Sequence, residues 1–469
     1  MATSGQPNIL FLFPDQHRHD WVGWNPDLPV RTPNLDRLAA RGVTFNRHIC
    51  NSPLCAPSRA TLALGVSYRR CGVIDNLDDT PLDRPYVYQH LRDAGYRTAA
   101  VGKVDLHKGT FEWKLDGSSW LDKWGFTDGI DNEGKHAGAV TGVKEPAGPY
   151  MAFLHDRGLA QVHHDDLHDR HDFTSTYPTP LPDDAYSDNW IAENCLRYLR
   201  EFPTDQPWFI QVNYTGPHEP MDITQSMHNR WTDVDFPGPI DSDEFDAEIH
   251  LQIRRNYAAM LENIDRHTAR YLEVIEERGE LDNTIVVYSS DHGEMLGDHG
   301  QWAKWTYRQP SLGVPLVIAG PGIQSGKSTD AIVQLIDLPA TFIDYAGASP
   351  LPDADGKSLR PLLDGSADIL HDHVFAGQTN RVKHPTGAGG DGGLLDYMMV
   401  ASKAFDWDLV SDGHFKLVRD RHASRTLLFD LDNDPLEQAD IADSRPDIVK
   451  TLDAVLDREL QRPIPKGTA

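Results

Sequence analysis

Four short apolar runs, each followed directly by polar residues, constrain the fold of this chain more than any other feature. The runs are NILFLF (8–13), YRTAAVG (96–102), WFIQVNY (208–214) and TIVVYSS (284–290). Their apolar residues are nearly continuous and do not alternate with polar ones, which is typical of strands buried on both faces. Because helical patterns lie between the runs, we predict an α/β fold with a doubly wound, mostly parallel central sheet flanked by helices.

The clearest helical pattern is TPNLDRLAARG, at residues 32–42. Thr32 fits the N-cap, Pro33 the first helical position and Gly42 the residue after the last turn. Two longer stretches, 188–202 and 257–279, carry apolar residues at three- and four-residue spacing. That spacing predicts amphipathic helices, each with one face against the sheet.

The last hundred residues have a different pattern. DGHFKLVRD (412–420) and RTLLFDLDNDP (425–435) indicate hairpin strands, and a helix is predicted over 446–460. A chain of 469 residues is too long for one ordinary domain. We therefore predict a larger α/β domain at residues 1–367 and a smaller α+β domain, an antiparallel sheet plus a helix, at 368–469.

Composition excludes several classes of partner. Lys and Arg number 44 against 71 Asp and Glu, a net charge of −27, which disfavours binding to nucleic acid or to anionic membranes.

No run of about 18 apolar residues is present, so no membrane-spanning helix is expected. The N-terminal stretch lacks a basic region and a cleavage site, so we predict a cytoplasmic protein without a signal peptide. The four cysteines are scattered and form no CxxC pair, which disfavours a disulfide framework or a thiolate zinc site.

Polar residues that follow the apolar runs indicate where a functional site would lie. Asp15, Lys103, His218 and the pair Asp291–His292 each come just after one of the four runs. In open α/β sheets, ligands bind beyond the carboxyl ends of the strands. Taken singly, each residue has an ordinary structural explanation, such as a helix cap or a solvated lysine, so only their coincidence predicts a site.

A further candidate for the site is the segment CAPSR, residues 55–59, followed by ATLALG. A lone Cys55 would most simply be a small buried side chain. However, the chain also contains, in order around it, PNILFLFPDQ, GYRTAAVGK, NYTGPHEP, SDHGEMLGDHGQWAK and VPLVIAGPG. Together these motifs closely resemble the type I, formylglycine-dependent sulfatases of the alkaline phosphatase superfamily. The resemblance covers nearly the whole chain.

This resemblance implies that Cys55 is oxidised to formylglycine by a formylglycine-generating enzyme, which recognises Cys55, Pro57 and Arg59. The hydrated aldehyde carries two hydroxyls on one carbon. One would attack the sulfur of a sulfate monoester and give a covalent sulfo-enzyme intermediate. The other would then expel the sulfate. The expected activity is therefore that of a sulfuric ester hydrolase acting on a small-molecule or carbohydrate sulfate ester, such as a carbohydrate or aryl sulfate.

The resemblance also implies a site for one divalent metal ion, with Arg59 orienting the formylglycine and bracing the ligands. The implied ligands are Asp15, Gln16, Asp291, His292 and the modified Cys55. Many members of the family have aspartate where Gln16 stands and asparagine where His292 stands. Oxygen ligands favour calcium, which we expect, whereas the imidazole keeps manganese open, and magnesium is a further alternative.

The remaining site residues follow from the same resemblance. Lys103 and Lys304 would bind the sulfate oxygens, and His218 would donate a proton to the leaving alcohol. The family commonly has histidine two residues after this first lysine. Here Asp105 occupies that place and His107 lies two residues further on. Either of the two could take the proton of the formylglycine.

Two alternative functions stay open. The identity of the leaving group and the formation of homo-oligomers stay open as well. The first function is a phosphonate monoester or phosphodiester hydrolase of the same superfamily, some of which carry Asp-Gln and Asp-His metal pairs. The second is a non-catalytic protein that binds sulfated ligands. For the leaving group, Trp113, Trp120 and Trp124 could stack on a sugar ring or belong to ordinary packing.

Overall fold

A large mixed sheet, a small antiparallel sheet and a two-stranded ladder organise the chain in a computed structural model that describes residues 5–170, 172–379 and 405–465. The strands are β1 Asn8–Asp15, β2 Val43–Phe45, β3 His48–Ile49, β4 Arg97–Gly102, β5 Asp128–Asp131, β6 Trp208–Pro217, β7 Thr284–Tyr288, β8 Val317–Ala319, β9 Lys327–Thr329, β10 Val333–Gln334, β11 Val374–Thr379, β12 Asp406–Ser411, β13 Phe415–Asp420 and β14 Arg425–Asp430.

The α-helices pack on both faces of the large sheet and on the small one. They are α1 Pro33–Arg41, α2 Cys55–Leu64, α3 Tyr68–Cys71, α4 Val87–Asp93, α5 Leu121–Trp124, α6 Gly134–Thr141, α7 Pro149–Asp156, α8 Ala160–Asp169, α9 Ser187–Glu201, α10 Gln225–His228, α11 Ala247–Glu277, α12 Gln309–Leu312, α13 Asp337–Ala346, α14 Arg360–Leu363 and α15 Pro446–Leu460. Among the described residues, no helix combines the length and apolar character needed to cross a membrane.

The large sheet has the strand order β5-β4-β6-β1-β7-β8-β2-β9. Its first five strands are mutually parallel, whereas β8 runs antiparallel to β7 and to β2. The four apolar runs of the sequence are adjacent strands here, β4, β6, β1 and β7, so their carboxyl ends share one edge. The predicted fold class, a mostly parallel sheet flanked by helices, is confirmed.

Strand β1 shows why the apolar runs are continuous. Ile9, Phe11 and Phe13 enter the core on one side, together with residues of α2, α4 and α13. Leu10 and Leu12 enter the core on the other side, with residues of α1, α9 and α11. Each of these large side chains stabilises the fold by about 1.5–3 kcal/mol through burial. A strand covered on both faces needs apolar residues at every position, as the sequence has.

The small sheet is antiparallel in the order β11-β12-β13-β14. One face packs on α15 through Val410, Leu417 and Leu428, which contact Leu452 and Leu456. The other face, including Trp407 from β12, joins the main core. Since this shared core does not by itself divide the chain, the boundary between residues 367 and 368 stays a prediction.

Candidate active site

Residues at the carboxyl ends of the parallel strands meet the first turn of α2. Asp15 is the last residue of β1, Asp291 and His292 follow β7, and Cys55 begins α2. One ligand-capable atom from each of these four residues lies within 4.8 Å of all the others, and all four side chains are buried. The structure therefore brings together four of the five residues proposed to hold a metal.

The first turn of α2 is fixed by contacts on two sides. Ser58 Oγ donates to the carbonyl of Asp291 at 2.5 Å, and the Ala56 amide donates to Asn76 Oδ1 at 3.0 Å. These contacts place Cys55 at a helix N-terminus, where amide groups and the helix dipole favour an anion. Asn76 was not singled out in the sequence, because no motif pointed to it.

Arg59 joins the two carboxylates of the site. Its Nε donates to Asp291 Oδ2 at 2.9 Å and one Nη to Asp15 Oδ2 at 3.3 Å, while another Nη donates to the carbonyl of Lys103 at 2.6 Å. The guanidinium is 2% exposed. A planar, permanently charged fork can hold two buried carboxylates in fixed positions, which suits the bracing role implied for Arg59.

Two lysines approach the sulfur of Cys55. Lys304 Nζ lies 3.2 Å and Lys103 Nζ lies 3.8 Å from Sγ, and Lys103 also contacts Asp15 Oδ2 at 2.5 Å. Burial and Asp15 would raise the pKa of the Cys55 thiol, but Lys103, Lys304 and Lys108 hold it well below its usual value. The site therefore stabilises negative charge at position 55.

The donor set fits a divalent cation. His292 Nδ1 lies 3.0 Å from the carbonyl of Gly293, to which it donates. This contact leaves the lone pair of Nε2 facing Asp15 at 3.6 Å and Asp291 at 3.7 Å. Burial and Lys304 lower the pKa of His292, but Asp291 and Cys55 outweigh them and raise that pKa above its usual value. The surrounding negative charge therefore favours a proton on Nε2, and a bound cation would take the place of that proton.

Gln16 lies at the edge of this cluster in a left-handed conformation, with φ of 71°. Its Oε1 accepts from Lys304 Nζ at 2.7 Å, and its Nε2 donates to Glu219 at 2.5 Å and also contacts Glu294. Burial and the nearby Glu219 raise the pKa of Glu294 to about 7. Sequence reasoning passed over both glutamates, although each stands inside a quoted motif, PHEP or SDHGE.

His218 joins the site through Lys304. Its Nε2 lies 2.7 Å from Lys304 Nζ, and its Nδ1 lies 2.7 Å from the carbonyl of Glu219. Since a carbonyl can only accept, Nδ1 carries the hydrogen, and Nε2 accepts a hydrogen bond from Lys304 Nζ. The lone pair of His218 Nε2 is therefore directed towards Lys304 Nζ.

Asp105 and His107 lie in different surroundings. Asp105 Oδ2 contacts Lys108 Nζ at 2.6 Å and Lys103 Nζ at 3.4 Å. Burial would raise the pKa of Asp105, but these two lysines lower it. His107 instead pairs its Nε2 with Asp131 Oδ2 at 2.8 Å and is 1% exposed. Of the two, Asp105 is the one that the structure brings to the lysines of the site.

The three tryptophans of residues 111–126 surround this histidine. The ring of His107 stacks against Trp124 at 5.3 Å and Trp120 at 5.8 Å between centroids, and Trp113 lies 5.9 Å away. Trp113 and Trp124 are 3% and 0% exposed. Of the two alternatives offered by the sequence, packing describes these two side chains.

Comparison with known proteins gives a matching family, similar sequences and a similar solved structure. A model of the sulfatase family matches residues 7–348. The chain is 28% identical to a choline-sulfatase of Rhizobium meliloti over 483 residues, covering 94% of this chain and 83% of that protein. It is 25% identical to an arylsulfatase of Clostridium perfringens over 395 residues, covering 79% and 81%. A phosphonate monoester hydrolase of Agrobacterium radiobacter has the same fold, with a TM-score of 0.79, 23% identity and coverage of 97% and 95%.

Proposed function

Because the chain belongs to the sulfatase family, within the alkaline phosphatase superfamily, and is therefore a sulfuric ester hydrolase, we propose that it cleaves a sulfate monoester through formylglycine derived from Cys55. The proposal rests on one observation. The ligand atoms of two carboxylates and an imidazole converge on Cys55, and two lysine ammonium groups lie 3.2 Å and 3.8 Å from its sulfur. The thiol occupies the place of the formylglycine, whose hydrate supplies two hydroxyls on one carbon.

The two lysines would hold the sulfate. Two ammonium groups close to position 55 can bind the sulfate oxygens and neutralise the charge that develops on them as the ester bond breaks. The N-terminus of α2 adds amide donors at the same point. Arg59 keeps Asp15 and Asp291 in place throughout, because it contacts both.

His218 would deliver a proton to the departing alcohol oxygen. Its Nε2 lies 2.7 Å from Lys304 Nζ, which places the imidazole beside the lysine that would hold the sulfate. We assign the removal of the formylglycine proton to Asp105, because Asp131 holds His107 in its own pocket.

Asp15, Gln16, Asp291, His292 and the modified position 55 would hold the metal ion. When bound, a divalent cation lowers the pKa of a coordinated hydroxyl, so that the hydroxyl becomes a nucleophile near neutral pH. We propose calcium, since oxygen atoms outnumber nitrogen in the donor set, with manganese as the second candidate because of the imidazole.

The test combines mass and turnover. The protein is produced together with a formylglycine-generating enzyme, and its intact mass is compared with that of Cys55→Ala made in the same way. We expect the wild type to have lost one sulfur and two hydrogens and gained one oxygen, and to hydrolyse para-nitrophenyl sulfate. Cys55→Ala should show no turnover. An unmodified, inactive wild type would instead support a protein that only binds sulfated ligands.

A phosphonate monoester hydrolase is the second candidate function, and the ligand set favours it. The family resemblance implies aspartate and asparagine in many sulfatases at the places of Gln16 and His292, and it implies Asp-Gln and Asp-His pairs in some phosphonate-cleaving members of the superfamily. Sulfate monoesters and phosphonate monoesters carry the same single charge at the reacting centre. Turnover of an aryl sulfate and an aryl phosphonate by the same preparation, with calcium and then manganese, separates the two. Faster cleavage of the phosphonate would overturn the sulfatase assignment.

A further inference from the structure

Lys304 lies in a segment with an uncommon backbone conformation. The residues on its two sides, Ala303 and Trp305, have φ of 59° and 75°. A positive φ is rare for a residue with a bulky side chain and costs about 1–3 kcal/mol. Such strain persists only where surrounding contacts impose it, and here it involves an aromatic residue adjacent in sequence to a lysine of the site.

Three hydrogen bonds impose this conformation. The Ala303 amide donates to Glu294 Oε1 at 2.7 Å, and the Trp305 amide donates to the carbonyl of Pro53 at 3.1 Å. The carbonyl of Trp305 accepts from Trp407 Nε1 at 3.0 Å. The backbone of Trp305 is therefore attached both to the turn before Cys55 and to β12 of the small sheet, which fixes the point from which the indole extends.

The indole lies near the lysine that contacts position 55. Lys304 Nζ is 6.0 Å from the centre of the Trp305 ring and 3.2 Å from the sulfur of Cys55. The Trp305 side chain is partly exposed, and its ring is parallel to that of Phe405, with 4° between the planes and 6.3 Å between the centroids. The partly exposed ring of Trp305, with Phe405 against it, thus presents apolar surface near the lysine proposed to bind sulfate.

On this geometry, which rests on the proposed sulfatase function, we propose that Trp305, supported by Phe405, forms the apolar wall that receives the alcohol part of the substrate. A fixed aromatic face selects a leaving group that has a flat apolar face of its own. The preferred substrates are therefore sulfate esters of phenols or of sugars, whose rings offer such a face, over esters of small acyclic alcohols.

A binding experiment tests the wall without depending on turnover. Benzenesulfonate and methanesulfonate carry the same anionic group, but only the first has a ring. Calorimetry on the formylglycine-bearing protein should show that Trp305→Ala weakens benzenesulfonate binding by about three- to tenfold and changes methanesulfonate binding by less than about twofold. Trp305→Phe, which keeps an aromatic face, should retain most of the preference.

Trp302 provides the matched control. It is also partly exposed and lies three residues away, but its ring stacks on His250 at 5.5 Å. Trp302→Ala should leave the affinity ratio of the two sulfonates unchanged. Equal weakening of both sulfonates in Trp305→Ala would show that Trp305 only supports Lys304, and unchanged affinities for both sulfonates would show that the ring meets no ligand. Either result overturns the wall.

Turnover then separates this inference from the proposed function and identifies the ring. Wild type and Trp305→Ala are compared on para-nitrophenyl sulfate, glucosamine sulfate and propyl sulfate. A selective loss of kcat/KM on the aryl or on the sugar ester, relative to the propyl ester, identifies which ring the wall receives. If the wild type cleaves none of the three esters, the sulfatase proposal fails. The sulfonate affinities still show whether Trp305 contacts the ring of a bound ligand.

Discussion

His218 has both ring nitrogens engaged, by Lys304 and by the carbonyl of Glu219, and this arrangement predicts how its loss depends on substrate. An alkoxide is a strong base and needs a proton as it leaves, whereas para-nitrophenolate does not. We therefore expect His218→Asn to lower kcat for an alkyl sulfate by about 10²- to 10⁴-fold and to lower it much less for para-nitrophenyl sulfate. Steady-state kinetics on both esters checks this. Equal losses on both would exclude a role as proton donor.

A second single residue, Glu133, predicts a pH dependence of stability. Burial raises the pKa of Glu133 from 4.5 to about 7, despite hydrogen bonds from backbone amides such as that of Met151 at 2.9 Å. Between these values the unfolded chain has lost the proton that the folded chain keeps. The free energy of unfolding therefore falls as pH rises through this window, by up to about 3 kcal/mol.

Glu133→Gln should remove this contribution, because its amide does not ionise. Urea unfolding at about pH 5 and about pH 8 should show that the variant gains stability relative to the wild type at the higher pH only. Using the difference between variant and wild type cancels other buried carboxyls with raised pKa, such as Asp265. A difference that is the same at both pH values would contradict the assignment.

The ends of the strands position the site, and Gly102 at the end of β4 is the tightest of these positions. Its φ is 102°, and a Cβ there would lie 2.0 Å from the carbonyl oxygen of Asn213 on β6. Gly102→Ala must push the two strands apart just before Lys103. We expect a loss of stability of about 1–3 kcal/mol together with a lower kcat for para-nitrophenyl sulfate.

Gly95 is the control for backbone strain. Its φ is 96°, but a Cβ there would meet nothing within 4 Å. Gly95→Ala should cost about 1 kcal/mol of stability through strain alone and leave kcat unchanged. Thermal unfolding and kinetics on both variants distinguish the two effects. If Gly102→Ala keeps full activity, the end of β4 does not position Lys103.

At the level of helices and strands, the sequence predicted those elements whose limits depend on residues close together in the chain. The predicted helix at 446–460 and the α1 boundaries agree with the structure, because a proline in the first turn and apolar spacing encode both helices. The start of α11 at Ala247 was missed by ten residues, since its first turns are mostly polar. Strand β5, with the sequence DGID, has no apolar run and gave no signal.

The site shows the same division between local and distant information. Motifs predicted which residues meet at Cys55, because each motif is contiguous. The contacts of Gln16 with Glu219 and Glu294 join residues more than 200 positions apart, and no local pattern encodes them. The choice between Asp105 and His107 likewise depended on Asp131, which only the sheet brings to the histidine.

At the scale of the whole molecule, the net charge of −27 dominates. Like charges on a compact surface repel one another and destabilise the folded state relative to the expanded chain. Salt shortens the screening length from about 30 Å at about 0.01 M to about 8 Å at about 0.15 M. We therefore expect the midpoint of urea unfolding to rise when sodium chloride is increased over this range.

A less acidic variant separates screening of this repulsion from other effects of salt. Asp122, Glu145 and Asp205 are exposed and are not among the site residues, so replacing them by Asn, Gln and Asn removes three negative charges without disturbing the core. Urea is the suitable denaturant, because guanidinium chloride is itself a salt. The variant should have a higher midpoint than the wild type at low salt and a smaller rise with added salt. A rise of equal size in both proteins would mean that salt acts through hydration or specific ion binding, and that the acidic surface does not limit stability.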